Sequence, residues 1–185
     1  MHKAVFLDRD GTIVEDVGYL NRPDQIKFIP GAIKAIKMLN QAGYKVVVIS
    51  NQAGVAKGLI TEDMLQTIDK VLHKFILNGG AHLDGVYYCP HHPEEGVYPY
   101  RQACECRKPH PGLIKRAHRD LNIDLSSSFM VGDKATDIEA GKNAGTKTIL
   151  VLSGRGQEEK EKLKSKPDYI TDNLLSAVKW ILGGG

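Results

Sequence analysis

The chain has 185 residues, 42% hydrophobic and 25% charged, with a formal net charge of +3. That is about one domain, able to bury roughly 70% of the surface its unfolded form would expose, and the ordinary globular values exclude disorder and a fibrous repeat. Lys and Arg are scattered rather than blocked, so the charge calls for neither nucleic acid nor a membrane surface, and a phosphorylated small molecule suits it equally well.

Residues 4–7 are a short apolar run leading into Asp8-Arg9-Asp10-Gly11-Thr12, which reads as a buried strand with two carboxylates at its carboxyl end. Residues 13–30 carry turn formers and no period, as expected of a loop over the end of a sheet. A helix over 31–43, with Ile33, Ile36 and Leu39 on one stripe, precedes an apolar strand over 45–50 that ends in Ser50-Asn51-Gln52. Met64, Leu65, Ile68, Val71, Leu72, Phe75 and Ile76 predict a helix over 61–78. A third strand over 85–88 runs into Cys89, and residues 90–109 are aperiodic but dense in Cys, His, Pro and Arg.

Pro111 opens a further helix, and residues 129–131 form a strand ending in Gly132-Asp133-Lys134. A helix over 135–144, strands over 148–152 and 169–170 and a helix over 173–182 complete the pattern. Residues 157–166 read as a charged, solvated helix or loop without a function, and the three terminal glycines as a frayed end. Alternating β and α elements predict one α/β domain over 1–185, a doubly wound, Rossmann-like parallel sheet with helices on both faces. There is no room for a separate cap domain. No charged and apolar leader precedes Ala4 and no apolar run nears membrane-spanning length, so a cytoplasmic protein is expected, acting as a monomer.

In this arrangement Asp8, Asp10, Ser50, Lys108 and Asp133 meet at one sheet edge. Converging carboxylates repel unless a hard cation sits between them, and oxygen ligands select Mg²⁺. With Lys108 added, the site suits a phosphoryl group, which one carboxylate can attack while another moves protons.

Asp8-Arg9-Asp10-Gly11-Thr12, Ser50 after an apolar strand, Lys108 in Arg-Lys-Pro and Gly132-Asp133 followed by Asp137 match, in order, the four motifs of the haloacid dehalogenase superfamily, which the chain resembles. Over nearly its whole length it is similar to the heptose 1,7-bisphosphate 7-phosphatases of that superfamily, themselves similar to histidinol phosphatases. Gly18-Tyr19, Ser50-Asn51-Gln52, Tyr88-Cys89-Pro90-His91-His92-Pro93 and Cys104-Glu105-Cys106-Arg107-Lys108-Pro109 carry that likeness. It implies a Mg²⁺-dependent phosphatase that removes the 7-phosphate of a small phosphorylated sugar through an aspartyl phosphate. It further implies Asp8 as nucleophile, Asp10 as general acid and base, and Asp8, the Asp10 carbonyl and Asp133 as Mg²⁺ ligands. Ser50 and Lys108 would grip the phosphoryl group, and Asp16, Gly18, Tyr19, Asn51, Gln52, Arg107 and Lys134 would contact the rest of the substrate. Relatives often have Thr and Ser where this chain has Ser50 and Ala53. Asp137 is left outside the metal shell, to orient Lys134 or cap its helix.

Three cysteines cannot all pair within one chain, and two lie one residue apart, which disfavours a disulfide framework. Cys89, Cys104 and Cys106 with one histidine instead suit a tetrahedral structural Zn²⁺ site that would order the loop over 89–106. His91 and His92 are both in place for the fourth ligand; the family resemblance favours His91. Two other readings remain open on sequence: histidinol phosphate hydrolysis on the same scaffold, and a catalytically silent, zinc-stabilised binding module. The latter lacks a basic cluster with interleaved aromatics.

Overall fold

The computed structural model describes residues 1–185. Six strands, β1 (Ala4–Leu7), β2 (Lys45–Asn51), β3 (Gly85–Cys89), β4 (Phe129–Gly132), β5 (Lys147–Val151) and β6 (Tyr169–Thr171), form one sheet in the order β3-β2-β1-β4-β5-β6. Every pairing is parallel. The intervening helices are α1 (Ala32–Gln41), α2 (Glu62–Asn78), α3 (Gly112–Leu121), α4 (Ala135–Ala144), the single turn α5 (Gly156–Glu159) and α6 (Leu174–Leu182).

Strand residues alternate between faces, and both faces of this sheet are covered. Val5 and Leu7 of β1 pack with Ala35, Ile36 and Leu39 of α1, Ile68 and Leu72 of α2 and Ala177 and Val178 of α6. Ala4 and Phe6 face the other way, onto Ile114 and Ala117 of α3 and Ala140 of α4. β1 is therefore buried along its whole length, and only its carboxyl end is free to carry chemistry. The chain runs outward from β1 through β2 to β3, then returns to the far side of β1 to lay down β4, β5 and β6. The order reverses between β1 and β4. A crevice opens beyond the carboxyl ends of strands at such a point, and Asp8 and Asp133 are the residues that follow those two strands.

Element ends differ from the sequence expectation by one or two residues, with one larger difference. The terminal glycines are not frayed: the Gly185 N–H donates to the Trp180 carbonyl at 3.2 Å, and its own carbonyl accepts from Lys147 Nζ at 3.0 Å. The segment over 157–166 folds as the end of α5 and a 3-10 turn (Lys160–Lys162), and its Glu159 reaches the start of α4. No helix is long and apolar enough to cross a membrane.

Candidate active site

Asp8 leaves β1 with its N–H bonded to the Val131 carbonyl at 3.0 Å, so the sheet hydrogen bonding continues up to Asp8 itself. Its side chain is 5% exposed and lies against that of Lys108, 3% exposed. Lys108 Nζ donates to Asp8 Oδ1 at 2.9 Å and to the Ile49 carbonyl at 2.8 Å. It also lies 2.6 Å from Asp137 Oδ1, an ionic contact rather than a directed hydrogen bond. Burial alone would raise the Asp8 pKa, but the charges of Lys108 and Lys134 outweigh it and hold the carboxyl below its ordinary value. Asp8 is thus kept ionised, the form in which a carboxylate is a nucleophile.

The neighbouring carboxyls behave differently. Burial, reinforced by the charge of Asp8, pushes Asp133 up to about 8. Burial also raises Asp137, against the pull of Lys108. Ligand oxygens of Asp8, Asp133 and Asp137 lie within 4.8 Å of one another, and Asp133 Oδ1 is buried without a hydrogen-bond partner. A buried oxygen with no donor is costly unless a cation meets it, and an all-oxygen donor set suits a hard divalent ion such as Mg²⁺. These residues fit that ion. The Asp133 carboxylate leaves no room for a side chain at Gly11, where φ is +88° and an added Cβ would come within 2.1 Å of Asp133 Oδ2.

Asp137 has the capping role that sequence allowed, since its Oδ2 accepts the Lys134 N–H at 3.0 Å. Its other oxygen, however, contacts Lys108 and not the Lys134 ammonium. Lys134 Nζ instead lies 3.7 Å from Asp8, 3.8 Å from Asp133 and 3.5 Å from Asp16. Asp137 therefore sets the cation that Asp8 faces, and its oxygen belongs to the cluster from which sequence reasoning excluded it.

An open cleft of about 540 Å³ lies over this edge, and 13 of its 15 lining residues are not hydrophobic, so it suits a polar ligand. Asp10, Asp16, Gly18, Tyr19, Asn51, Gln52, Arg107, Lys108 and Lys134 line it, while Asp8, Ser50 and Asp133 are buried and are not among its lining residues. Two of them have further duties within the protein. Asn51 uses both ends of its amide to bind the Lys108 backbone, at 3.0 and 3.1 Å. Gln52 Nε2 donates to Asp10 Oδ2 at 2.9 Å and to Ser50 Oγ at 2.8 Å. Sequence reasoning missed Arg155 and Glu159 in the same wall. The Arg155 N–H donates to Asp133 Oδ2 at 2.8 Å, its guanidinium lies 3.3 Å from Asp16, and Glu159 accepts the Ala135 N–H at 3.1 Å. The available signal was the Ser153-Gly154-Arg155-Gly156 turn, which follows β5 at the ligand-bearing edge.

Cys89, Cys104 and Cys106 are free thiols whose sulfurs lie 3.2 to 3.5 Å apart. His91 Nδ1 completes the group at 3.7 Å from Cys89 and 3.3 Å from Cys106. A tetrahedral ion with Zn–S bonds of about 2.3 Å spaces its sulfurs by about 3.8 Å, so a small relaxation admits it. His92 is turned away: its Nδ1 accepts the Glu94 and Glu95 N–H groups at 3.3 and 2.9 Å. Arg107 Nη1 donates to the His91 carbonyl at 3.0 Å, which ties the cluster to the substrate cleft.

A parallel sheet carrying Asp8 and Asp10 after its first strand, with Ser50, Lys108 and Asp133 brought beside them, is the architecture of the haloacid dehalogenase-type hydrolases. The family model described as HAD-hyrolase-like matches residues 105–177. The chain is similar to the D-glycero-beta-D-manno-heptose-1,7-bisphosphate 7-phosphatase of Pasteurella multocida, 44% identical over 184 residues that span 99% of this chain and 98% of that protein. The protein of the same name from Escherichia coli K12 is 42% identical over 181 residues, 97% of this chain and 87% of its own length. The D,D-heptose 1,7-bisphosphate phosphatase of B. bronchiseptica, solved with magnesium and phosphate, superposes with a TM-score of 0.89 at 31% identity, covering 99% of each chain. The chain belongs to the heptose-1,7-bisphosphate 7-phosphatase family, and it is a phosphoric monoester hydrolase.

Replacing Lys108 with Met should remove about 3–5 kcal/mol of stability at neutral pH, because Asp8 and Asp137 are left buried without their cation. In the wild type the lowered Asp8 pKa contributes stability that is lost as pH falls through it; in the variant the unpaired carboxyls rise and are relieved by protonation. Urea unfolding should therefore show the gap between the two proteins narrowing as pH drops toward 4.

Proposed function

We propose that the protein hydrolyses the 7-phosphate of D-glycero-β-D-manno-heptose 1,7-bisphosphate, with Asp8 as nucleophile and Asp10 as general acid and base. The observation that carries this reading is the 42–44% identity to phosphatases of that name across nearly the whole chain. Asp8, held ionised against Lys108, supports its role.

In the first step an oxygen of Asp8 forms a bond to phosphorus while the bond to the sugar oxygen breaks, and Asp10 gives that oxygen a proton. In the second, Asp10 takes a proton from the water that attacks the aspartyl phosphate, restoring both residues. Ser50 and Lys108 hold the transferred group. Asp8, the Asp10 carbonyl and Asp133 would hold Mg²⁺, which supplies positive charge to the phosphoryl oxygens. Arg107 and Lys134, both lining the cleft, supply cations for the second phosphate. The test is phosphate release from the β bisphosphate, with the position of cleavage followed by phosphorus NMR. Loss of only the 7-phosphate signal, and its abolition in Asp8→Asn, is expected; preferred turnover of histidinol phosphate would overturn the substrate assignment.

The Cys89, His91, Cys104 and Cys106 cluster is read as a structural Zn²⁺ site, supported by the converging sulfurs and imidazole. Its link to the cleft is the Arg107 to His91 hydrogen bond, so the ion orders a substrate contact rather than the reacting atoms. Metal analysis of the purified protein should find about one zinc per chain. Cys104→Ser should raise KM for the bisphosphate several-fold, about 3- to 10-fold, and change kcat for a small monophosphate little.

A further inference from the structure

Arg9 lies between the two site aspartates in sequence, yet its side chain is 1% exposed and is among the largest fully buried side chains in the protein. A guanidinium taken out of water must be matched by negative charge. Here it is matched twice. Nε donates to Asp10 Oδ1 at 3.1 Å and Nη2 to Asp10 Oδ2 at 2.9 Å, a two-pronged grip on both oxygens. The third nitrogen, Nη1, has no hydrogen-bond partner and lies 3.9 Å from Asp69 of α2. Burial pushes the Asp69 carboxyl up to about 7, with Arg9 pulling it down and Asp10 pushing it further up.

A purely structural pair that ties β1 to α2 needs only one carboxylate, and any orientation of it serves. The observed grip commits two of the three guanidinium nitrogens to Asp10 and so fixes the plane of its carboxylate, which on the proposed function must point at the sugar. Arg suits this task where Lys does not, since its planar fork matches a carboxylate and a point charge does not. Gln52 adds a third donor to Asp10 Oδ2 and also reaches Ser50 Oγ. Oδ2 is thus held by Arg9 and by the Gln52 amide that also reaches Ser50, and Oδ1 by Arg9 alone.

We infer that Arg9, braced by Asp69, is a positioning residue that aims the Asp10 carboxyl at the leaving-group oxygen. This rests on the reading of Asp10 as general acid. Arg9 is not among the residues that line the cleft; it acts through Asp10. A misaimed acid costs rate only where the leaving oxygen needs a proton. The defect should therefore appear with a sugar phosphate and be small with 4-nitrophenyl phosphate, whose phenolate departs unaided.

The experiment compares kcat/KM, which reports the chemistry up to aspartyl phosphate formation, for the two phosphates in wild type, Arg9→Lys, Asp10→Asn and the double variant. Arg9→Lys, which keeps the charge and loses the fork, should lose about 30- to 100-fold with the sugar bisphosphate and under about 3-fold with the aryl phosphate. In the Asp10→Asn background the same change should cost under about 3-fold with either phosphate. Equal losses on both phosphates, no loss, or additive effects in the double variant would overturn the positioning role. Equal losses in Asp10→Asn itself would instead overturn the acid role of Asp10, and the positioning role with it. Should Arg9→Lys not fold, Asp69→Asn carries the test: it should show the same substrate split at about 3- to 10-fold, and an even loss or none would sink the inference.

Discussion

The ammonium of Lys108 is the contact on which the rest of the site depends. It is buried at the one edge where four aspartates gather, and it bonds Asp8 after β1 and the Ile49 carbonyl of β2 while lying against Asp137 of α4. Two separately folded segments of the sheet and one helix are thus held by a single charge. Its position is itself imposed, since the Asn51 amide grips the Lys108 backbone on both sides. The preceding residue, Arg107, is tied to the His91 carbonyl. Order passes from the Cys and His cluster through the arm to Lys108, and from Lys108 to the ionisation state of Asp8.

This explains why a stretch without secondary structure is tolerated inside a compact domain. Residues 90–111 contain no helix or strand, and an aperiodic segment of that length would ordinarily be mobile. The cluster closes it at its base, between Cys89 at the end of β3 and Cys106 before the basic pair. Its tip rests on the loop after β2, where the Val97 N–H meets the Ala56 carbonyl at 3.0 Å and Lys57 pairs with Glu95 at 2.7 Å. The exposed ion pair adds little; the Cys and His cluster and the backbone contacts do most of the ordering.

The sheet and the identity of the site were largely legible in the sequence, for a physical reason. A parallel strand buried on both faces must be apolar throughout, so its carboxyl end is marked by the first polar residues, and here those are Asp8, Ser50 and Asp133. What periodicity does not encode is where a long side chain ends. Lys108 could be placed at the edge from sequence, but not its choice of Asp137, which the capping geometry of α4 turns toward it. Gln52 was placed beside substrate, and its amide proved to bridge Asp10 and Ser50. Arg155 and Gly185 were missed because each contact joins residues distant in sequence, whose meeting depends on the final packing.

On the roles proposed for Asp8 and Asp10, the distribution of charge around them separates two tasks. A nucleophile has to be ionised, and Asp8 is given two ammonium groups, one buried at 2.9 Å and one partly exposed at 3.7 Å. A proton carrier has to be aimed, and Asp10 is given a planar cation whose own charge is shared with a second carboxylate, Asp69. Point charges set the first residue and a rigid fork the second. The residue between them in sequence, Arg9, is buried and is not among the residues that line the cleft, so the short segment after β1 carries Asp8 and also buries the cation that grips Asp10.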